Sequence, residues 1–480
     1  MPNTKKTKIV ATLGPAINNR ETLKELMISG VNVFRINFSH ADYTEVKKIV
    51  KIIRELNEEM EYHVACLADL QGPKLRVGVM EEGIVLVKGD VFTFTTADLP
   101  VGNKDKAFMT YKNFPVDVKV GEQILVDDGK LLFEVTATDG KEIVTTKVLR
   151  GGPLKSKKGV NLPNTEISLP ALTEKDIKDA IFALSLEVDW MALSFVRNPE
   201  DLDAIHKLIR ENSDTSVYRT RVISKIEKPE ALENIDAIIA NTDALMVARG
   251  DLGVEIPMAE VPLVQKMLVR KAKEAKIPVI IATQMMETMI ENQVPTRAEV
   301  NDVANSIMDG ADAVMLSGET SVGEFPNEVI KKMREIIVSV EHSPLIDVPR
   351  QAPVFSNTER YLSDAVCYQA ASLADQIKAK AIVTLTYSGY TAFQISALRP
   401  NSHIQVFSPN KRVLAMLNLF WGVKARYYES DESMTKTIAQ VNQMVVDKGV
   451  LNSGDYVINL NSTPIKKKGM VNNLRVTKIV

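Results

Sequence analysis

The sequence contains little cysteine, no long apolar run and almost no net charge, and each scarcity narrows the classes of protein it can belong to. Only Cys66 and Cys367 occur in 480 residues, so we expect no disulfide framework and predict a reducing, cytoplasmic location. Without a run of roughly 18 apolar residues, no membrane span is expected. The 59 basic and 61 acidic residues nearly cancel, a balance that predicts neither a nucleic-acid nor a membrane partner.

Common nucleotide-binding and zinc motifs are missing as well. The chain has no GxxxxGK[ST] loop, no GxGxxG and no HExxH. Its basic N-terminus, MPNTKKTKIVATLGP, lacks the apolar centre of a signal peptide. What is present is an ordinary globular composition, 45% hydrophobic and 25% charged, in a chain too long for one core. We therefore expect two to four domains.

Eight short apolar runs before residue 320 alternate with helical patterns, and this alternation predicts a (β/α)₈ TIM barrel. The runs are TKIVATLG, VNVFRINFSH, HVACLADLQG, VDWMALSFV, VISKIE, ALMVARGD, VIIATQ and AVMLSGET. Helical patterns between them include 21–29, 45–57, 174–185, 199–211, 261–275 and 298–308. Thr173 and Thr296 precede two of these patterns and are the predicted N-terminal caps.

Two further domains interrupt and follow the barrel. From 73 to 170 the pattern changes to short alternating segments separated by turn pairs, which predicts an inserted antiparallel β-barrel domain that closes as a lid. The barrel is then divided into 1–72 and 171–345. After a proline-containing link, strand-like and helical patterns in 355–480 predict an open α/β domain.

Four of the apolar runs end in polar residues, where the active sites of parallel barrels lie. Lys225 and Glu227 are two residues apart on one predicted strand and point to the same side. Alone, they could be only an ion pair at the barrel mouth. Asp251 ends the next run, and two carboxylates from neighbouring strand ends suit Mg²⁺, which takes few protein oxygens. Lys225 beside them could neutralise a transferring phosphoryl group.

Other strand ends add groups that bind anions. Gly250 would let backbone amides approach an anion, and the hydroxyls of Thr283 and Ser317 follow the next two runs. The second and third runs end in further polar residues, namely Arg35, Asn37, Ser39, Asp69, Lys74 and Arg76. His40 fits equally well as a cap or loop residue. The residues alone predict a magnesium-dependent barrel enzyme for a small phosphorylated or carboxylated substrate, and they leave the reaction open.

Six longer strings make the resemblance to a known family specific. They are KIVATLGP, FRINFSH, KKGVNLP, VARGDLGVEIP, IATQMMETM and PTRAEVNDVANSIMDGADAVMLSGET. Together they resemble the pyruvate kinases over essentially the whole chain. The resemblance implies transfer of a phosphoryl group from phosphoenolpyruvate to ADP, giving pyruvate and ATP in glycolysis. It also implies a homotetramer.

The resemblance implies a role for each matching residue. Glu227 and Asp251 match the ligands of Mg²⁺. Lys225 and Arg35 match the cations that contact the phosphoryl group. The amides of Gly250 and Asp251, with Thr283, match the grip on the substrate carboxylate. Thr283 and Ser317 match the positions that supply a proton to the enolate. Positions that contact ADP/ATP are matched by Thr12, Pro15, Asn37, His40, Arg76 and, in the lid, Lys158.

One departure from the family bears on potassium. Many members read DTKGPEIR where this chain reads DLQGPKLR, so Lys74 stands in place of a glutamate. The glutamate form goes with a bound potassium ion at positions matching Asn37, Ser39, Asp69 and the carbonyl of Leu70. Because an ammonium can replace a monovalent cation and would repel one nearby, we predict activity without K⁺. Ala41, in place of a usual glycine, is expected to cause only a small backbone adjustment.

The C-terminal region contains a hydroxyl-rich turn before a helix, TLTYSGYTAFQ. Helix N-termini attract phosphate, and the family resemblance implies an allosteric site for a sugar phosphate or nucleotide. Its residues would be Thr384, Thr386, Ser388, Gly389 and Thr391. The alternative is a cluster of capping residues with no ligand. The lysine-rich segment 464–469 is a second candidate wall, although charge runs are usually solvated.

Two rival functions remain open from the sequence. One is a barrel lyase or aldolase in which Lys225 acts as a base or forms a Schiff base. The other is an inactive relative that only binds metabolites, against which the complete set of site residues argues. A requirement for ADP separates the first rival from a kinase.

Overall fold

The computed structural model describes residues 5–163, 165–214, 218–343, 348–355, 359–429, 432–462 and 470–480. No helix within these ranges is long and apolar enough to cross a bilayer. The chain begins with alternating strands and helices: β1 (Lys8–Thr12), α1 (Arg20–Ser29), β2 (Val33–Asn37), α2 (Tyr43–Met60) and β3 (Ala65–Asp69). The bounds of α1 and α2 contain the predicted helical patterns.

The inserted segment forms its own sheet. Its elements are β4 (Val85–Leu86), β5 (Val91–Thr95), β6 (Lys106–Phe108), α3 (Phe114–Asp117), β7 (Gln123–Val126), β8 (Leu131–Thr138), β9 (Ile143–Arg150), β10 (Gly152–Pro153) and β11 (Val160–Asn161). Six strands pair in the order β11-β7-β8-β9-β5-β6, and Phe92, Phe94 and Phe133 pack edge to face beneath them. The segment 75–78 bridges the two edge strands of this sheet, because Val77 pairs with Met109 next to β6 and Arg76 pairs with Gly159 next to β11. The insert is therefore a barrel as the sequence predicts, except that its β5–β6 pair is parallel.

The chain then returns to the barrel. The elements of this second part are α4 (Glu174–Ser185), β12 (Trp190–Leu193), α5 (Pro199–Asn212), β13 (Arg221–Ile226), α6 (Pro229–Glu233), α7 (Ile235–Asn241), β14 (Ala244–Ala248), α8 (Arg249–Glu255), α9 (Val261–Glu274), β15 (Val279–Ala282), α10 (Arg297–Asp309), β16 (Ala313–Leu316), α11 (Gly318–Ser321) and α12 (Pro326–Glu341). Short 3₁₀ turns span Met258–Glu260 and Glu287–Ile290. The parallel strands close in the order β1-β2-β3-β12-β13-β14-β15-β16, which confirms the predicted TIM barrel.

Local sequence explains why these elements begin and end where they do. Strands β3, β12, β14, β15 and β16 are buried along their whole length, as expected for a sheet covered on one face by helices and filled on the other. Both predicted caps are confirmed: Thr173 forms a capping box with Asp176, and Thr296 forms one with Glu299.

The last part of the chain packs under the barrel. It contains α13 (Glu359–Gln376), β17 (Ala381–Leu385), α14 (Tyr390–Ala397), β18 (His403–Ser408), α15 (Lys411–Met416), a 3₁₀ turn (Leu417–Leu419), β19 (Val423–Tyr427), α16 (Met434–Asp447), β20 (Tyr456–Asn461) and β21 (Asn473–Lys478). The sheet order is β19-β18-β17-β20-β21, and only β21 is antiparallel to its neighbour among these strands. This is the predicted open α/β domain.

Contacts between this domain and the barrel involve the amino ends of barrel strands. Arg399 forms a buried ion pair of 2.9 Å with Asp312, directly before β16. The indole of Trp190, the first residue of β12, donates a hydrogen bond to the carbonyl of Met416 at 3.2 Å. The carboxyl ends of the strands therefore lie on the opposite rim of the barrel, together with the polar residues singled out by the sequence.

Candidate active site

Lys225 lies at the centre of the polar cluster on this rim. Its Nζ is 2.9 Å from Glu227 Oε1 and 3.3 Å from Asp69 Oδ1, and it donates a 2.7 Å hydrogen bond to Ser194 Oγ. Burial by itself would lower the pKa of this ammonium, but the charges of Asp69, Glu227 and Asp251 outweigh it and raise the pKa. Lys225 is thus held protonated, which suits a group that stabilises negative charge.

Glu227 follows β13 directly and is completely buried. Its Oε2 accepts a 2.7 Å hydrogen bond from the amide of Phe195, whereas Oε1 has only the ion pair with Lys225 and no well-directed hydrogen bond among the described residues. Burial raises the pKa of Glu227 to about 7; Lys225 opposes the shift and the charge of Asp251 adds to it. The two carboxylates together need more positive charge than Lys225 supplies.

A divalent cation fits this need. Glu227 and Asp251 come from neighbouring strand ends, β13 and β14, and Glu227 Oε1 is a buried oxygen without a good donor. Within the described ranges, no group of three or more Asp, Glu, His or Cys side chains is arranged to hold a metal ion. Two carboxylates are nevertheless enough for Mg²⁺, which keeps coordination positions for water and substrate.

Arg35 joins the cluster through Asp69. Its Nε donates to Asp69 Oδ2 at 2.6 Å, and its Nη1 donates to the hydroxyl of Thr12 at 3.1 Å. Burial would raise the pKa of Asp69, but the nearby charges of Lys225 and Arg35 hold it below its ordinary value. One buried carboxylate therefore aligns both cations that the sequence assigns to the phosphoryl group.

Thr283 and Gly250 meet at the next strand ends. The amide of Gly250 donates a 2.7 Å hydrogen bond to Thr283 Oγ1, and this hydroxyl donates to the carbonyl of Ala282 at 2.5 Å. The Gly250 amide and the Thr283 hydroxyl, both predicted to bind the substrate carboxylate, are thus hydrogen-bonded to each other. A bound carboxylate has to replace this contact. A Cβ on residue 250 would lie 3.3 Å from Thr283 Oγ1, so a larger residue here would press on this hydroxyl.

Ser317 follows β16 and lies beside the first strand. Its amide donates to Glu319 Oε2 at 2.7 Å, while Thr12 donates to the carbonyl of Leu316 at 2.7 Å. Thr320 returns a 2.9 Å hydrogen bond to the carbonyl of Thr12. The closing seam of the barrel therefore brings Ser317 and Thr12 to one side of the site.

The predicted monovalent-cation positions are partly occupied by protein groups. Asp69 is paired with Arg35 and Lys225, the carbonyl of Leu70 accepts a 2.7 Å hydrogen bond from Ser194, and Asn37 accepts one from the amide of Ser39 at 3.1 Å. The side chain of Lys74 is exposed and makes no hydrogen bond or ion pair to any part of the chain that the structure describes. Its ammonium does not occupy the expected cation position.

The residues predicted to contact the nucleotide divide between two regions. Thr12 is buried in the rim, and Pro15 and His40 are exposed at its edge. Arg76 donates to the carbonyl of Lys157 at 2.9 Å, and Lys158 pairs with Asp127 at 2.9 Å. These two lid cations are therefore held by other residues of the insert.

Sequence reasoning missed Ser194 and the central role of Asp69. Ser194 lies near the end of the run VDWMALSFV and directly follows β12, so a polar residue at the end of the fourth strand was an available signal. The next residue, Phe195, has a left-handed backbone with φ of 56° and turns its amide toward Glu227. Nothing in the local sequence indicates that contact.

Three of the five predicted effector residues, Thr386, Ser388 and Thr391, line a cleft of about 960 Å³ next to the sheet of the last domain, whereas Thr384 and Gly389 do not. Thr386 accepts a 3.0 Å hydrogen bond from the amide of Gly389. Thr384 is buried, and its hydroxyl has no hydrogen-bond partner within the described residues. The second predicted wall, 464–469, lies outside those residues.

Comparison with known proteins gives the same family from family models, from whole sequences and from a solved structure. The family model "Pyruvate kinase, barrel domain" matches residues 4–330, and "Pyruvate kinase, alpha/beta domain" matches residues 364–477. A pyruvate kinase of Corynebacterium glutamicum is 41% identical, over 98% of this chain and 97% of its own. One of Mycobacterium tuberculosis is 40% identical over 99% of each. The crystal structure of a pyruvate kinase from Cryptosporidium parvum matches with a TM-score of 0.91 and 34% identity, over 99% of this chain and 96% of its own.

Proposed function

The chain belongs to the pyruvate kinase family, and from this premise we propose which of its residues carry out the family's reaction. The protein is a phosphotransferase that moves the phosphoryl group of phosphoenolpyruvate to ADP in glycolysis, giving pyruvate and ATP. Members of the family generally use Mg²⁺ and K⁺. The observation that carries the assignment is Lys225, whose side chain is 12% exposed and is held between Asp69, Glu227 and Ser194.

Lys225 and Arg35 bind the transferring phosphoryl group in this proposal. Phosphoryl transfer needs alignment and positive charge more than covalent help, because charge spreads over the equatorial oxygens. The bond from phosphorus to the enol oxygen breaks as a bond to a β-phosphate oxygen of ADP forms. Mg²⁺, held by Glu227 and Asp251, would supply further positive charge when bound. Asp69 keeps both protein cations in place through its two oxygens.

Thr283, with the amides of Gly250 and Asp251, binds the substrate carboxylate. The enolate left by phosphoryl transfer is then protonated at carbon, and the hydroxyls of Thr283 and Ser317 lie on the rim to deliver that proton directly or through water. Thr12, Pro15, Asn37 and His40 border the nucleotide. Arg76 and Lys158 complete that site when the lid closes and excludes water, which would otherwise compete with ADP as the acceptor.

A coupled assay tests these roles. Pyruvate release, followed with lactate dehydrogenase, should require ADP in the wild type, and Lys225→Met should lower the rate by several orders of magnitude. The variant should retain the wild-type circular dichroism spectrum, and Lys47→Met, an exposed lysine on α2, serves as the matched control. Pyruvate release without ADP would support the lyase alternative, and full activity in Lys225→Met would refute the assignment.

A second proposal concerns regulation. The cleft beside α14 is lined by hydroxyls, and two of its buried polar groups lack partners among the described residues: the hydroxyl of Thr437 and the amide nitrogen of Asn461. Such groups favour a polar ligand, because an unsatisfied buried hydroxyl or amide is costly. We assign a phosphorylated effector to this cleft. A homotetramer stays a prediction from the family, and sedimentation velocity tests it. A cytoplasmic location stays a prediction from the scarcity of cysteine.

A further inference from the structure

Glu255 connects three segments that meet beside the active site. Its Oε1 accepts hydrogen bonds from Lys228 Nζ and from Asn161 Nδ2, both at 2.8 Å. Glu255 and Lys228 are each 5% exposed, and the second oxygen of Glu255 has no partner within the described chain. Removing either donor therefore leaves a buried carboxylate poorly compensated, so the three residues hold one another in place.

The positions of these residues in the sequence show which segments the contact joins. Lys228 directly follows Glu227, and Glu255 lies one helical turn after Asp251 on α8. The Lys228–Glu255 ion pair thus joins the two segments that carry the proposed metal ligands. Asn161 lies in β11 of the insert, three residues after Lys158, so the same carboxylate also holds the lid.

We propose that Glu255 is a positioning residue that sets the separation of the two metal-binding segments and ties the lid to them. This inference rests on the proposed function. The lid contacts Glu255 through a single hydrogen bond. Because the acceptor is charged, this bond is stronger than one between neutral groups. Lid docking and the metal-binding geometry then depend on a shared buried carboxylate, although Glu255 itself touches neither substrate.

Asn161→Ala tests the connection to the lid, because it leaves the Lys228–Glu255 pair intact. We expect the KM for ADP to rise about tenfold with kcat within a factor of about two, since one charge-assisted hydrogen bond to the docked lid is lost. Limited proteolysis of the segments that join the insert to the barrel should become faster. Asn103→Ala, in an exposed turn of the same insert, is the control. Wild-type KM and cleavage rates in Asn161→Ala would overturn the connection to the lid.

Glu255→Gln tests the connection to the metal site without an activity assay. Mn²⁺, as a probe for the Mg²⁺ site, is titrated into nucleotide-free protein and its free concentration is followed by electron paramagnetic resonance. We expect Glu255→Gln to bind Mn²⁺ several-fold more weakly than the wild type. If Glu227→Gln does not weaken binding, the proposed metal site itself fails. If Glu227→Gln weakens it and Glu255→Gln does not, the positioning role is refuted. Should Glu255→Gln fail to fold, Lys228→Gln gives the same comparison.

Discussion

Thr283 has a left-handed backbone, with φ of 70°, and Gln284 follows it at 54°. A β-branched residue in this conformation costs about 1–3 kcal/mol, so surrounding contacts have to hold it. Arg249 supplies one of them: its Nη2 donates to the carbonyl of Thr283 at 2.8 Å. The same guanidinium binds both oxygens of Asp302, at 2.6 and 2.7 Å, and so is itself fixed. The planar guanidinium of Arg249 therefore holds the strained backbone of Thr283 in place.

Arg249→Lys should disturb the carboxylate grip, because an ammonium cannot bind Asp302 through two parallel hydrogen bonds and also reach the carbonyl of Thr283. We expect the KM for phosphoenolpyruvate to rise about tenfold while the KM for ADP changes little. Steady-state kinetics with each substrate varied in turn measure this split. Arg270→Lys, an exposed arginine on α9, is the matched control. Equal increases in both KM values would argue against the mechanism.

The prediction on potassium depends on two residues, Lys74 and Asp69. Because Arg35 and Lys225 already neutralise Asp69, little negative charge remains there to attract K⁺. Lys74 in addition places a positive charge in the sequence position of the glutamate that goes with bound potassium. We expect turnover within about twofold when Na⁺ or a bulky organic cation replaces K⁺ at constant ionic strength. Lys74→Glu should make the rate depend on K⁺. A several-fold or larger loss of wild-type turnover without K⁺ would show the prediction to be wrong.

At the scale of elements, α14 and the turn before it carry the proposed regulation. The helix has eight residues and begins after Gly389, whose φ of 89° is accessible mainly to glycine. Tyr390 fixes its first turn by donating a 2.7 Å hydrogen bond to Asp364 on α13. The turn is therefore preorganised, and a ligand does not have to order it.

A phosphorylated effector should change the apparent affinity for phosphoenolpyruvate. We expect at least one compound in a panel of sugar phosphates and AMP to shift the half-saturating concentration several-fold, and Thr386→Val to remove that response. The Val variant keeps the shape of the side chain but loses the hydroxyl that accepts from Gly389. Saturation curves that stay unchanged across the whole panel would contradict an effector site.

At the scale of the molecule, buried and half-buried lysines gather where the last domain packs under the barrel. Burial lowers the pKa of Lys8 to about 7, with a further effect from Lys424, and lowers that of Lys6 to about 8. Lys8 donates to the carbonyl of Val423 at 2.7 Å. A lysine whose folded pKa lies below its unfolded value of 10.5 destabilises the fold when charged. That penalty is fully present below pH 7 and is relieved as the pH rises toward 10.5.

Lys8→Met should therefore make stability less dependent on pH between about 7 and 9.5. In the wild type, Lys8 makes the free energy of unfolding increase with pH by at most about 1.4 kcal/mol per unit, the value for one proton. The variant loses this contribution. Urea unfolding at several pH values measures the difference, and Lys47→Met, on the exposed face of α2, is the control. The same slope in Lys8→Met and the wild type would exclude the effect.

Much of the architecture could be predicted because its signals are local. The apolar runs, the two threonine caps and the turn pairs depend on neighbouring residues, and the barrel and its helices follow from them within a few positions. The parallel β5–β6 pair could not be predicted, because strand direction depends on how distant strands meet. The position of Lys74 likewise depends on a long, exposed side chain that no sequence pattern orients.

The amino-acid sequence by itself determined which chemical groups emerge at the carboxyl ends of the barrel strands: an ammonium, a guanidinium, three carboxylates and two hydroxyls. Only the tertiary structure decided which of them pair. Asp69 bridges Arg35 and Lys225 because β2, β3 and β13 converge on one rim, although β13 follows some 150 residues later. Asn161 reaches Glu255 because the insert folds back over that rim. The pattern of apolar and polar residues is a local property of each strand. Contacts between side chains that are distant in sequence depend instead on closure of the barrel.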